Sequence, residues 1–175
     1  NGLPVLITEP NSLDRTSVED LKHTIEKETE ALDIHNMIVV VNKADGPSME
    51  ELQKPLATSV ITNWITNRFF FVSSIMALGS KKGCESLTDS TYRSTYRKNT
   101  DFFSNNAEED YKSLPKANRL PASRKEHICS LAAQAEKRLE ELTAGSPEKE
   151  LAQRELIAHN SGIRGVEDEI AYFAR

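Results

Sequence analysis

Asn42, Lys43 and Asp45 stand together at the end of an apolar run, Met37-Ile38-Val39-Val40-Val41, and their types match the polar edge of a guanine base. An ionised Asp45 can accept from N1–H and the exocyclic N2 amine together. The Lys43 stem can lie along the ring face, and Asn42 can tie its loop to the neighbouring one. Charge-assisted hydrogen bonds of this kind contribute roughly 1.5–3 kcal/mol each, and adenine offers no matching pair of donors. A second run, Phe70-Phe71-Val72-Ser73-Ser74-Ile75, also ends a strand-like segment in small polar residues. Backbone N–H groups in such a loop can approach a ligand carbonyl closely. Each run by itself also reads as a strand followed by a polar turn; the two in succession, with room for one helix between them, carry the argument.

The elements that must present these loops are legible from periodicity. Leu3 to Thr8 reads as a short buried strand, turned by Glu9-Pro10-Asn11-Ser12 before a helix that starts near Thr16 or Ser17. Val18, Leu21, Ile25 and Leu32 recur near the helical period, with Glu19 and Asp20 in the first turn, where the dipole favours acids. Met37 to Val41 is a continuous β-branched run, as suits a parallel strand buried on both faces. Ser48 with Glu51 three residues on forms a capping box. Leu52, Leu56, Val60, Ile61 and Trp64 follow as an apolar helix face, with Pro55 a kink or boundary. Phe69 to Ser73 is the third strand. The order β-α-β-α-β predicts right-handed parallel crossovers, with ligand sites at the strands' carboxyl ends.

From about Lys81 to Gly145 the text turns polar and loses its strand signal, which predicts a helical insertion. Tyr92 and Tyr96 stand four apart, as do Phe103 and Ala107, with Phe102 and Tyr111 nearby; short helices packing onto the sheet account for them. Ser123 to Leu142 is a clearer helix, with Ile128, Leu131, Ala135, Leu139 and Leu142 on one side. Ala144-Gly145-Ser146-Pro147 ends it and Pro147 opens the next. Glu148 to His159 continues as a helix that Asn160-Ser161-Gly162 interrupts, and Ile163, Val166, Ile170 and Phe173 mark a closing helix. The expected organisation is residues 1–80 as the nucleotide-binding part, 81–145 as the insertion and 146–175 as helices closing on the sheet. The fold class expected is α/β, three-layer and mostly parallel.

Composition bounds the function. The chain has 175 residues, 38% hydrophobic and 28% charged, with a formal charge of -5, which argues against nucleic acid as a partner. No apolar run approaches the roughly 20 residues that cross a bilayer. Cys84 and Cys129 form no C-x-x-C pair, so neither a disulfide framework nor a thiolate zinc site is indicated, and a reducing cytoplasm fits. Glu155 and His159, four apart on a helix, have metal-ligand spacing but read more simply as a solvated helix pair. Ser73 or Ser74 as a nucleophile would need a positioned base, and no Gly-x-Ser-x-Gly turn accompanies them.

With Asn42-Lys43-Ala44-Asp45 and Ser73-Ser74-Ile75 on successive strands, the sequence resembles the C-terminal half of a P-loop GTPase domain. Val5-Leu6-Ile7-Thr8-Glu9-Pro10-Asn11-Ser12-Leu13, Val72 to Gly79 and Asn160-Ser161-Gly162-Ile163-Arg164-Gly165-Val166-Glu167-Asp168-Glu169-Ile170 are similar to bacterial dynamin-like GTPases. The resemblance covers residues 3–83 and 158–174. It implies GTP or GDP as ligand, with Asn42, Lys43, Asp45, Ser73, Ser74 and Ile75 as the base site. It also implies GTP hydrolysis in the intact protein, and self-association or a peripheral membrane surface as further partners. Ser74 stands where the family usually has Ala, which keeps the backbone amide; Ile75 replaces a common Lys and removes a side-chain lid.

The pattern G-x-x-x-x-G-K-[ST] is absent, since Gly79-Ser80-Lys81-Lys82-Gly83 has its glycines and lysines in the wrong order. The phosphate-cradling loop and the Mg²⁺ ligand are therefore not among these residues, and Mg²⁺ is expected only together with that segment. The opening Asn1-Gly2 reads as a fragment, inactive alone, with no catalytic residue or metal ligand of its own. The alternative is a non-catalytic protein-interaction module on a degenerate nucleotide-binding scaffold, with the insertion as its partner surface. A nucleotide or sugar binder without guanine choice is a third reading, against which Asp45 argues.

Overall fold

A computed structural model describes residues 3–13, 19, 20, 23, 27, 37–57, 68–104 and 113–175. The stripe expected at Val18, Leu21, Ile25 and Leu32, together with Val60, Ile61, Trp64, Ala107, Tyr111 and the Phe102 side chain, lies outside the described residues. Strands β1 (Val5–Thr8), β2 (Ile38–Val41) and β3 (Phe69–Phe71) form one parallel sheet in that order. Val5 pairs with Ile38 and Thr8 with Val41, while Val39 to Val41 pair with Phe69 to Phe71. The helices are α1 (Met49–Leu56), α2 (Ser74–Lys82), α3 (Ser90–Ser104), α4 (Leu114–Ala117), α5 (Ala122–Glu140), α6 (Pro147–Asn160) and α7 (Ile163–Phe173).

Successive side chains of a strand point to opposite faces, and the two faces build two clusters. On one, Val39, Val41, Phe69 and Phe71 pack with Leu52 of α1, Met76 of α2, Tyr96 and Phe103 of α3, Leu114 of α4 and Ile157 of α6. On the other, Ile38, Val40, Phe70 and Val72 meet Ile128 of α5 and Val166 of α7. The continuous apolar runs of β2 and β3 thus have the burial that their composition predicts, whereas β1, expected to be buried, is an edge strand among the described residues, with Val5 and Ile7 exposed. The stretch 81–145 supplies much of the first cluster, through Leu87, Tyr96, Phe103, Leu114 and Ala117.

The expectation of a sheet-dominated three-layer α/β architecture is wrong. The described residues are predominantly helical, 66% helix against 9% strand, with only a small open three-stranded sheet. Two physical causes are visible. Each strand is three or four residues long, so most of the cover that buries it must come from helices. The outer edge of β3 is also closed: Phe69 and Arg119 exchange backbone hydrogen bonds of 2.8 and 3.0 Å, and the Phe71 N–H donates to Asn118 Oδ1 at 2.9 Å. A strand edge whose donors and acceptors are already taken offers no ladder for another strand.

Local signals hold where side chains satisfy the ends of helices. Ser48 and Glu51 form the reciprocal capping box at α1, with the Ser48 N–H donating to Glu51 Oε2 at 2.7 Å. Pro55 falls in the last turn of α1. The Ser146 hydroxyl accepts from the Lys149 N–H at 3.1 Å, and Pro147 opens α6. The last helix is pinned by charge. Glu169 is fully buried and accepts from Arg68 Nε at 3.0 Å and Arg124 Nε at 2.8 Å, while those guanidinium groups lie over the rings of Phe173 and Tyr172. Glu169→Gln removes the charge between two arginines and is expected to cost about 2 kcal/mol. Thermal unfolding should show it as a fall of roughly 4–8 °C in Tm for a domain of this size; an unchanged Tm would mean that the helix is held by its apolar contacts alone.

Candidate functional site

The site forms where the three strand tips meet. At the end of β2 the Asn42 N–H donates to Thr8 O of β1 at 2.8 Å, and the Ala44 N–H donates to Val72 O beyond β3 at 3.1 Å. Lys43 lies between these anchors in the left-handed region, φ 58°, a conformation that costs a side-chain-bearing residue roughly 1–2 kcal/mol. The hydrogen bonds on either side, to two different strands, hold it there. The Lys43 ammonium reaches Glu9 at the tip of β1, with Nζ 2.6 Å from Oε1. Both groups are well exposed; the Glu9 hydrogen bond, with the carboxylate's charge, raises the ammonium's pKa above the ordinary lysine value.

Asn42 performs the tying role that its type suggests. Its Oδ1 accepts from the Ser74 N–H at 3.1 Å and from the Ser74 hydroxyl at 2.7 Å, joining the Asn-Lys-x-Asp loop to the first residue of α2. Ser73 lies beneath. It is fully buried, its hydroxyl accepts from the Met76 N–H at 3.5 Å to cap α2, and its own N–H donates to Ser161 O at 2.9 Å.

The terminal Asn160-Ser161-Gly162 segment supports this loop from behind. Asn160 accepts from the Ser113 hydroxyl at 3.1 Å and donates through Nδ2 to Phe103 O at 3.0 Å. Gly162, at φ 83°, passes so close to β3 that an added Cβ would lie 2.0 Å from Phe71 O.

Between the loops is a pocket of about 460 Å³, within the size range of small-ligand sites. Asn42, Lys43, Asp45, Ser74 and Ile75 line it, so five of the six residues singled out in sequence are brought together; Ser73 is not among the lining residues. Gly46, Leu78, Leu87 and Tyr92 complete the wall. Leu78 could have been found from its place one helical turn after Ser74. Tyr92 and Leu87 carried no such signal, because they come from the polar stretch after the third strand. The lining thus combines polar side chains, Asn42, Lys43, Asp45 and Ser74, with apolar ones, Ile75, Leu78, Leu87 and the Tyr92 ring. Comparison with family models, with curated proteins and with solved structures finds no match to this chain.

Other sites are weaker. Glu155 accepts from Arg164 Nε and Nη2 at 2.9 and 2.7 Å, with His159 Nε2 3.4 Å away, so the carboxylate is already committed to an ion pair. Burial draws the His159 pKa below its usual value, against the pull of Glu155. Among the described residues no group of three or more His, Cys, Asp or Glu could hold a metal ion. Cys84 and Cys129 are free thiols. No helix among the described residues is long and apolar enough to cross a membrane.

Proposed function

We propose that the chain acts as a non-catalytic recognition module on a nucleotide-binding scaffold, with a guanine base as the ligand of the pocket at the strand tips and the helical surface around it available to a protein partner. The observation that carries this reading is the double hydrogen bond from Ser74 to Asn42 Oδ1, which sets the Asn-Lys-x-Asp loop and the Ser-Ser-Ile helix start as two sides of one pocket. Base edges and faces are the ligand features this arrangement can address.

A second reading is the base-binding part of a dynamin-like GTPase that binds and hydrolyses GTP in the intact protein. The same pairing of loops favours it, because the resemblance rests on those two motifs. Under it the phosphate loop and Mg²⁺ ligands come from residues outside this sequence, since the 175 residues lack the G-x-x-x-x-G-K-[ST] pattern and the described ones lack a metal-holding cluster. No hydrolytic step is assigned to this chain's own groups.

Titration of the chain with guanosine, GTP and adenosine, followed by ligand-observed NMR and calorimetry, separates the readings. The base contacts must offset an association cost of roughly 4–15 kcal/mol, so guanosine binding weaker than micromolar is expected. Guanosine should bind at least about tenfold tighter than adenosine, and GTP about as weakly as guanosine. Micromolar or tighter GTP binding would show phosphate contacts within the chain and overturn the module reading; equal binding of guanosine and adenosine would remove guanine from the pocket.

A further inference from the structure

Tyr92 supplies the only aromatic ring among the described residues that line the pocket, and it is 53% exposed. A single exposed ring needs no explanation by itself; its position relative to Tyr96 does. The two tyrosines stand one helical turn apart on α3 and so share a face, yet Tyr96 is buried. The difference lies in Gly79 of α2. A Cβ at Gly79 would fall 2.3 Å from the Tyr96 ring, so the missing side chain lets α3 approach α2 with Tyr96 as the contact. That docking carries Tyr92 to the pocket, where Leu78, the residue before Gly79, also forms wall.

The pocket's chemistry is divided. Asn42, Asp45 and Ser74 offer polar atoms, while Ile75, Leu78, Leu87 and Tyr92 offer apolar surface. A sugar, with hydroxyls around its circumference, would leave several of them facing hydrocarbon. A planar heteroaromatic ring has polar edges and apolar faces and leaves none so placed. The Lys43 side chain belongs to the same enclosure, since it and Tyr92 both line the pocket.

We infer that Tyr92 is an affinity-determining wall of this pocket, the ring against which the ligand's planar base stacks. The inference rests on the base-pocket reading above, and assigns within it a residue that belongs to neither sequence motif. Stacking is indifferent to which purine is present, whereas Asp45 reads the edge; the two residues therefore divide affinity and choice between them.

The test compares the intact chain with Tyr92→Ala and Tyr92→Phe, titrating each with guanosine and with adenosine by ligand-observed NMR, with circular dichroism to show that the exposed substitution leaves the fold in place. Base–aromatic stacking of the usual strength predicts that Tyr92→Ala weakens both nucleosides by roughly tenfold or more. Tyr92→Phe, which keeps the ring, should remain within about twofold of the parent chain. Guanosine binding unchanged by Tyr92→Ala would overturn the stacking assignment and leave the base pocket standing. Equal losses in the Ala and Phe variants would overturn it in favour of a contact through the phenol oxygen. Failure of the parent chain to bind either nucleoside would remove the base pocket itself, and the assignment with it.

Discussion

Gly162→Ala is expected to destabilise the fold by about 2–5 kcal/mol, the sum of a left-handed backbone penalty and an overpacking penalty. The first arises from φ 83° and the second from a Cβ 2.0 Å from Phe71 O. Gly145 separates the two contributions, because it has φ 79° with open space around it; alanine there should cost only the backbone part, about 1–2 kcal/mol. Chemical denaturation of both variants measures the difference. Equal losses would mean that the turn at residue 162 shifts freely away from β3, and that the close approach contributes nothing to stability.

The second large effect concerns ligand choice. Asp45→Asn exchanges a carboxylate acceptor for an amide that also donates. If Asp45 accepts from N1–H and the N2 amine of guanine, losing the charge at two hydrogen bonds of roughly 1.5–3 kcal/mol each should weaken guanosine by about a hundredfold. Xanthosine, with a carbonyl where guanine has the amine, should bind the variant better than the parent, since that carbonyl needs a donor. Competition between the two nucleosides, read by NMR, gives the ratio. An unaltered preference would take Asp45 out of the base site while leaving the Tyr92 experiment free to report on stacking.

How far the sequence could be read depended on the range over which each signal acts. Ser48 with Glu51 and Ser146 with Pro147 are contacts within a few residues, and both appear as helix starts where their types predict. The runs Ile38 to Val41 and Phe69 to Phe71 announced doubly buried strands, because only strands covered on both faces tolerate unbroken apolar text. The site was legible to the extent that its residues sit at the tips of those strands. What failed was the extrapolation from strands to architecture. The edge of β3 is closed by Asn118, which lies 47 residues from its Phe71 partner, and no local pattern encodes that distance.

Within the site the misreadings have equally specific causes. Two adjacent serines after a strand look alike in sequence, yet Ser74 lines the pocket while Ser73 caps α2 from the interior. Tyr92 and Tyr96 look equivalent in sequence, but the missing side chain at Gly79 makes room for the Tyr96 ring. The polar stretch after the third strand gave no sign that it would form pocket wall, because Leu87 and Tyr92 are isolated apolar residues among Ser, Thr and Asp.

Closure of β3 by Asn118 and Arg119 also gives the sheet a direction of growth. Among the described residues the opposite border, β1, pairs only with β2, and Val5 and Ile7 are exposed along it. A fourth strand, whether from this polypeptide or another, would have to run beside Val5–Thr8. Its end would then lie next to Glu9, the carboxylate that holds the pocket-lining Lys43, so lengthening the sheet would reach that ion pair.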